Sequence, residues 1–460
     1  MPEQILQDPD ALIAEIYSAF EPFQPPVKEA YVDCQEVRGK WDVIRELGRK
    51  ITRSNRPTCQ LYSGYRGVGK STELLRLKEH LEQRQYQVVY FAIDDQDIEP
   101  QDAEYADILF ACTRQLVEAV KLTNHNPLVN WMQERWESLK DLALSEVQFE
   151  SLTLEQQIAQ FAKITANLKA VPDQRRAMRR TINTNTPSLV VALNDFIAEA
   201  KKSLQQQDKR GLVVMVDNLD RIVEIREEGK PSNYDEIYLN RSEMLRGLDC
   251  HVIYTVPIAM VYSGRATRLE DNYDTPDVLP MVMVRNPDDS PNTAGIQKLR
   301  ELVCKRLRLI APQLAQTMDG SVSGVDAPAV FDSADTLNRL CEMSGGHVRN
   351  LMQLIQKAID WTDALPITAA AAGRAIEETR ETYRKTVQEP QWALLAQACR
   401  QKQFLRDESH LQLLLNRCLL EYRYYDDSDQ LQSWCDVHPL IRGIQRFQSE
   451  LDRQTTHDPG

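Results

Sequence analysis

Two rhythms of hydrophobic positions run along the chain. Short strand-like runs occur at Thr58 to Tyr62, Gln87 to Ile93, Gly211 to Val216, His251 to Val256 and Val278 to Val284. Their length and β-branched content are those of buried strands. Elsewhere apolar residues return every three to four positions, which predicts helices over 9–20, 38–53, 70–83, 104–122, 154–169 and 187–207. Strands separated by helices predict an α/β fold, a parallel sheet with helices on both faces. The stretch from Ile93 to Gly211 is far longer than one crossover needs, so a helical insertion is expected at about 123–186. After residue 290 the strand rhythm stops, and helical spacing over 294–310, 332–343, 347–361 and 368–384 predicts a helical lid, residues 291–385. Residues 386–460 place helices before two strand-like runs, LLEYRYY and LQSWCDV, around a polar turn, the outline of a winged-helix-like module. Pro22, Pro25 and Pro26 force an extended lead-in after the first helix, so residues 1–30 precede a core of 31–290.

Composition narrows the class. The chain has 460 residues, 42% hydrophobic and 27% charged, with 17 Gly and 22 Pro, which excludes disorder and fibre. Lys plus Arg total 55 against 68 Asp plus Glu, so the net charge of −13 gives no global attraction to DNA or anionic lipid, and phosphate binding must be local. No apolar run approaches the ~20 residues of a membrane helix, and the opening MPEQILQDPD is acidic where a signal peptide is basic. A cytoplasmic location without membrane contact is expected. The nine cysteines are scattered and never spaced CxxC, which predicts buried thiols rather than a disulfide framework or zinc site. No HxxxH, HExxH or GxSxG pattern occurs.

The chemistry concentrates in Gly64-Tyr65-Arg66-Gly67-Val68-Gly69-Lys70-Ser71, which satisfies GxxxxGK[ST] between a strand and a helix. Glycines let backbone N–H groups curl around a β-phosphate, and the following helix offers the positive end of its dipole. Lys70 places a charge between the β- and γ-phosphates, and the Ser71 hydroxyl is a Mg²⁺ ligand. Tyr65, Arg66, Val68 and Thr72 complete the candidate ATP-binding set; the plain alternative is a glycine turn with an incidental lysine. The third strand ends in Asp217-Asn218-Leu219-Asp220. A carboxylate leaving the carboxyl end of a buried strand can hold Mg²⁺ through water, which suits Asp217. Asp220 is the candidate activator of water, since Asn218 cannot take a proton. Both aspartates have the alternative of capping the next helix.

GYRGVGKS with VVMVDNLDR, a polar residue ending the next strand and a distal GGHVR resembles the P-loop ATPases of the AAA+ and STAND superfamily, especially the initiator-like branch with a helical lid and winged helix. The resemblance covers about residue 30 to 385. It implies that Thr255 is a sensor 1 group near the γ-phosphate, that Arg349 is a sensor 2 arginine on the lid, and that the region of Tyr31, Val32, Asp33, Val37 and Arg38 cradles adenine. Asn218 stands where many active members have Glu, which implies slow turnover. No NKxD guanine-reading motif occurs, so ATP is expected over GTP.

Arg265 and Arg268 occupy the region where the superfamily carries an arginine finger; a solvated loop is the alternative. Arg175, Arg176, Arg179 and Arg180 form either an acidic-partner or nucleic-acid grip or, preferably, a solvated face balancing nearby carboxylates. Residues 401–455 hold seven Lys or Arg against nine Asp or Glu, with Asp426, Asp427 and Asp429 at the proposed wing tip, which favours docking over DNA binding. The expected function is an ATP-binding, slowly hydrolysing conformational or assembly switch acting through self-association or a protein partner. The rival is an ATP-dependent nucleic-acid-binding initiator or loader.

Overall fold

The computed structural model describes residues 8–456 apart from 94–97, 121, 123–125, 136–152, 154, 158, 160–171, 317–328, 404–406 and 427. The chain divides into two compact units: Val43–Ser63 with Glu73–Val278, and Met1–Asp42 with Gly64–Thr72 and Leu279–Gly460.

The first of these units is built on a five-stranded parallel sheet. Its strands are β1 (Cys59–Ser63), β2 (Tyr86–Ala92), β3 (Gly211–Asp217), β4 (His251–Thr255) and β5 (Asp277–Val278), in the order β2-β3-β4-β1-β5. Every residue of β3 from Leu212 to Asp217 is buried, as expected of a strand covered on both faces. The fifth run differs from expectation. Only Asp277–Val278 pairs, with Tyr62 and Ser63 of β1, and the apolar stretch beyond it leaves the sheet. Pro280 has no N–H to give a ladder, and the Met283 N–H donates instead to the Val37 carbonyl at 2.9 Å. The helix expected over 38–53 also starts late, at Ile44, because Gly39 (φ 65) and Lys40 (φ 53) are left-handed. The helix Pro172–Gln205 begins well before the expected 187 and runs through Pro187. Of the expected 154–169 helix only 155–157 and 159 are described, and they are helical.

The second unit carries the glycine loop between β1 and the helix Lys70–Gln83, together with the helices Pro9–Ala19, Thr293–Ile310, Ala334–Met343, Val348–Asp360 and Ala369–Thr386. Asp8, Asn292, Ser333, His347 and Thr368 cap five of these helices through side-chain acceptors. The C-terminal residues follow the expected order. Helices Gln391–Gln401 and Glu408–Leu415 precede an antiparallel hairpin, β6 (Leu419–Tyr425) and β7 (Leu431–Val437). Arg442 clamps this segment by reaching both Asp436 oxygens (2.7 and 2.6 Å) and Asp289 (2.6 Å). All nine cysteines are free thiols, buried or half-buried. No helix among the described residues is long and apolar enough to cross a membrane.

Candidate functional site

The glycine loop has every carbonyl from Gly64 to Val68 directed at a donor. The Lys70 ammonium donates to Gly64 O at 2.9 Å and Tyr65 O at 3.1 Å. His347 Nε2 lies 2.6 Å from Arg66 O, and the Arg349 N–H donates to Gly67 O at 3.1 Å. The Arg38 guanidinium donates to Val68 O at 2.7 Å. In a planar trans peptide the N–H points opposite to the C=O. Fixing the carbonyls toward protein donors therefore turns the N–H groups of Tyr65, Arg66, Gly67 and Gly69 the other way, as in an anion nest, while the Val68 N–H donates to Tyr65 O at 3.3 Å. The backbone requires glycine: Gly67 has φ +87 and Gly69 φ +111, and a Cβ on Gly67 would lie 2.6 Å from the Arg349 Cβ. Ser71 and Thr72, both half-buried, stand in the first turn of the 14-residue helix Lys70–Gln83, at the positive end of its dipole.

The sheet brings its carboxylates to one edge. Leu61 of β1 is in register with Tyr254 of β4, and Tyr254 with Val216 of β3, so Ser63, Thr255 and Asp217 finish their strands together at the carboxyl end. The chain leaves β1 toward β2 on one side and leaves β4 toward β5 on the other. That makes β1 and β4 the point where the strand order reverses, the usual ligand crevice of an open α/β sheet. Asp217, 1% exposed, accepts from the Asn218 N–H at 2.7 Å and from the Tyr90 hydroxyl at 2.8 Å. Asn218 is left-handed (φ 64), a conformation Asn adopts more readily than Glu. Asp220 is buried in the short turn Leu219–Arg221. The Thr255 hydroxyl donates to Val216 O at 3.3 Å and accepts from the Leu219 N–H at 2.9 Å, which braces the turn carrying Asp220.

The GGHVR segment docks on the loop within its own unit. Gly345 (φ 64) and Gly346 (φ 77) are left-handed, and a Cβ on Gly346 would sit 1.7 Å from Val282 O. The Tyr422 hydroxyl of β6 donates to Gly345 O at 2.9 Å. Arg349 Nε donates to Pro22 O at 3.0 Å, and its guanidinium lies 5.3 Å from the Phe23 ring centre. Burial, aided by Arg417, drives the His347 pKa well below the ordinary imidazole value. The same causes push His438 down to about 3. Val32 is buried, and the neighbouring Tyr31 carbonyl accepts from Lys305 at 2.7 Å.

Other predicted groups have partners in the fold. Arg265 reaches Glu224 at 2.6 Å and Asp235 at 2.8 Å. Arg268 is exposed and donates to Asn240 at 3.2 Å. The expectation of a solvated arginine face is corrected at Arg179, which is buried and paired with Asp102 and Asp107, each at 2.7 Å, and Glu104 at 3.3 Å. Helical i, i+4 spacing could not separate it from its neighbours, because the partners come from another part of the chain; the side chains of Arg175, Arg176 and Arg180 lie outside the described residues. Sequence reasoning missed Tyr90 as the Asp217 donor and His347 and Arg38 as loop donors. Only His347 carried a signal, its place inside GGHVR.

No protein-family profile and no curated protein matches the chain. Among solved structures it is similar to the Aeropyrum pernix ORC1 protein in complex with DNA, at 12% identity and TM-score 0.37, over 95% of this chain and 96% of that one. It is also similar to CDC6P from Pyrobaculum aerophilum (11% identity, TM-score 0.37, 95% and 98% covered). A third similar structure is the Aeropyrum pernix ORC2 protein in its ADP form, with 11% identity, TM-score 0.41 and 95% and 98% covered.

Proposed function

We propose that the chain is a P-loop ATPase of the AAA+/STAND kind that binds ATP with Mg²⁺ and works as a slowly hydrolysing conformational switch. The observation that carries the reading is the glycine loop whose carbonyls from Gly64 to Val68 are all held by protein donors, between β1 and the helix Lys70–Gln83. The residues fit the nucleotide and its ion. Loop N–H groups and Lys70 suit the phosphates, while Ser71 and Asp217 are hard oxygen donors suited to Mg²⁺. Bound there, Mg²⁺ neutralises phosphate charge. Tyr90 fixes the Asp217 carboxylate by its hydrogen bond, Thr255 braces the turn that carries Asp220, and Asp220 takes the proton of the attacking water. Arg349 senses the γ-phosphate by exchanging its contacts with Pro22 and Phe23 for the phosphate. The left-handed backbone at Asn218 accounts for Asn in place of Glu, and slow turnover follows from the missing carboxylate.

Lys70→Ala tests the reading, because it removes the ammonium assigned to the phosphates while His347, Arg349 and Arg38 still hold the Arg66, Gly67 and Val68 carbonyls. Calorimetry should find one MgATP site in the wild-type protein and at least tenfold weaker binding in the variant, a loss of about 1.4 kcal/mol or more. Equal affinity in both proteins would remove the loop as the nucleotide site.

A second reading, nucleotide-dependent assembly on nucleic acid, is favoured by the helix–helix–hairpin order of residues 391–437. Described basic side chains in this segment and just after it are paired with carboxylates: Lys402 with Asp289, Arg423 with Glu421, Arg442 with Asp436, and Arg446 with Glu389 and Glu450. We therefore place it second; steeply salt-dependent duplex binding by the full-length protein would promote it.

A further inference from the structure

We propose that His347 is a positioning residue for nucleotide binding: from the N-terminus of the helix Val348–Asp360 it holds the Arg66–Gly67 peptide in its phosphate-ready orientation. The inference rests on the reading of the glycine loop as the nucleotide site. His347 is fully buried, and each ring nitrogen has a separate task. Nδ1 accepts from the Asn350 N–H at 3.1 Å, which caps the helix. A neutral imidazole that accepts at Nδ1 carries its proton on Nε2, so the 2.6 Å contact is a donation from Nε2–H to Arg66 O.

Capping alone does not call for histidine. Asn292, Ser333 and Thr368 cap neighbouring helices of the same unit with short side chains. What the imidazole adds is a rigid donor on its far side. Pinning the Arg66 carbonyl directs the Gly67 N–H of the same peptide the opposite way, toward a bound phosphate. Gly67 leaves room for this: a Cβ there would meet His347 Cε1 at 2.8 Å. Binding that finds the peptide already turned avoids the cost of ordering it.

The two tasks can be separated by substitution. His347→Asn replaces Nδ1 with an amide oxygen, which is among the best caps, but has nothing at the Nε2 position. His347→Gln places an amide nitrogen at the Nε2 position and loses the cap. The readouts are thermal stability, amide hydrogen exchange of residues 65–70 without nucleotide, and MgADP affinity by calorimetry. His347→Asn keeps the cap but truncates a buried ring, so it should melt somewhat below the wild type, exchange faster in the loop, and bind MgADP roughly three- to tenfold more weakly, the net worth of one hydrogen bond. His347→Gln should melt lower yet keep loop protection and affinity near wild type. Wild-type exchange and affinity in the Asn variant, or weakened binding in both variants that tracks only their stability, would overturn the positioning role. If the Asn variant loosens the loop but the wild-type protein binds no nucleotide, the clamp stands and the proposal falls through its functional premise.

Discussion

His347 and His438 are both completely buried and neutral, and their pKa values are lowered first by burial and then by Arg417. In the unfolded chain each titrates near 6.5. Between that value and the lower folded one the unfolded state binds more protons, so stability rises with pH through the window and falls as pH drops below about 6.5. Each such histidine withdraws up to about 1.4 kcal/mol per pH unit. The melting temperature should therefore be flat from pH 8 to 7 and decline from about pH 6.5 to 5, before ordinary carboxylates protonate. The decline should be shallower in His438→Asn. A melting temperature constant from pH 7 to 5 would mean that neither ring must be neutral in the fold. The protonated form of His347 also loses its cap, because Nδ1 can no longer accept from the Asn350 N–H.

Among the elements, the segment between β3 and β4 is held by Arg265. Burial opposes ionisation of Asp235, but hydrogen bonds from Arg265 and Ser232 outweigh it and keep the carboxyl below the ordinary range. Glu224 is lowered in the same way by Arg226 and Arg265. Arg265→Ala takes the arginine from Asp235 and leaves Glu224 with Arg226 alone, both carboxylates being about one-fifth exposed, and should destabilise the nucleotide-free protein by about 1–2 kcal/mol, between the worth of exposed and buried pairs. Chemical denaturation checks this. Unchanged stability with lost ATP hydrolysis would instead make Arg265 a finger toward a neighbouring nucleotide. The strands β1 to β4 and the helix Lys70–Gln83 were legible because burial on both faces and a glycine-rich motif each leave a local pattern. The fifth strand was over-read because VLPMVMV has strand-like hydrophobicity, whereas Pro280 and tertiary hydrogen bonding decide its conformation. The candidate residues of the glycine loop carry a local signal in the sequence. Tyr90, Arg38 and His347 act through partners distant in the chain, at Asp217, Val68 and Arg66, and no periodicity encodes such pairings.

At the scale of the molecule, the unit that carries the glycine loop links it to the C-terminal hairpin by contiguous polar contacts. Arg66 meets His347; His347 caps the helix through Asn350; the Asn350 amide lies 3.2 Å from His438 Nε2; and Tyr422 of β6 holds Gly345. Under the proposed sensor role of Arg349, a γ-phosphate that drew it from Pro22 and Phe23 would act on the same helix end, so ATP and ADP would differ in what they ask of it. A ligand shifts a conformational equilibrium only by its differential affinity for the two states. Hydrogen exchange with a non-hydrolysable ATP analogue, with ADP and without nucleotide tests this most directly. Both nucleotides should protect residues 64–71, and the ATP analogue alone should change protection over 344–350 and 419–437. Identical protection by ATP analogue and ADP in those two segments would contradict a nucleotide-driven switch.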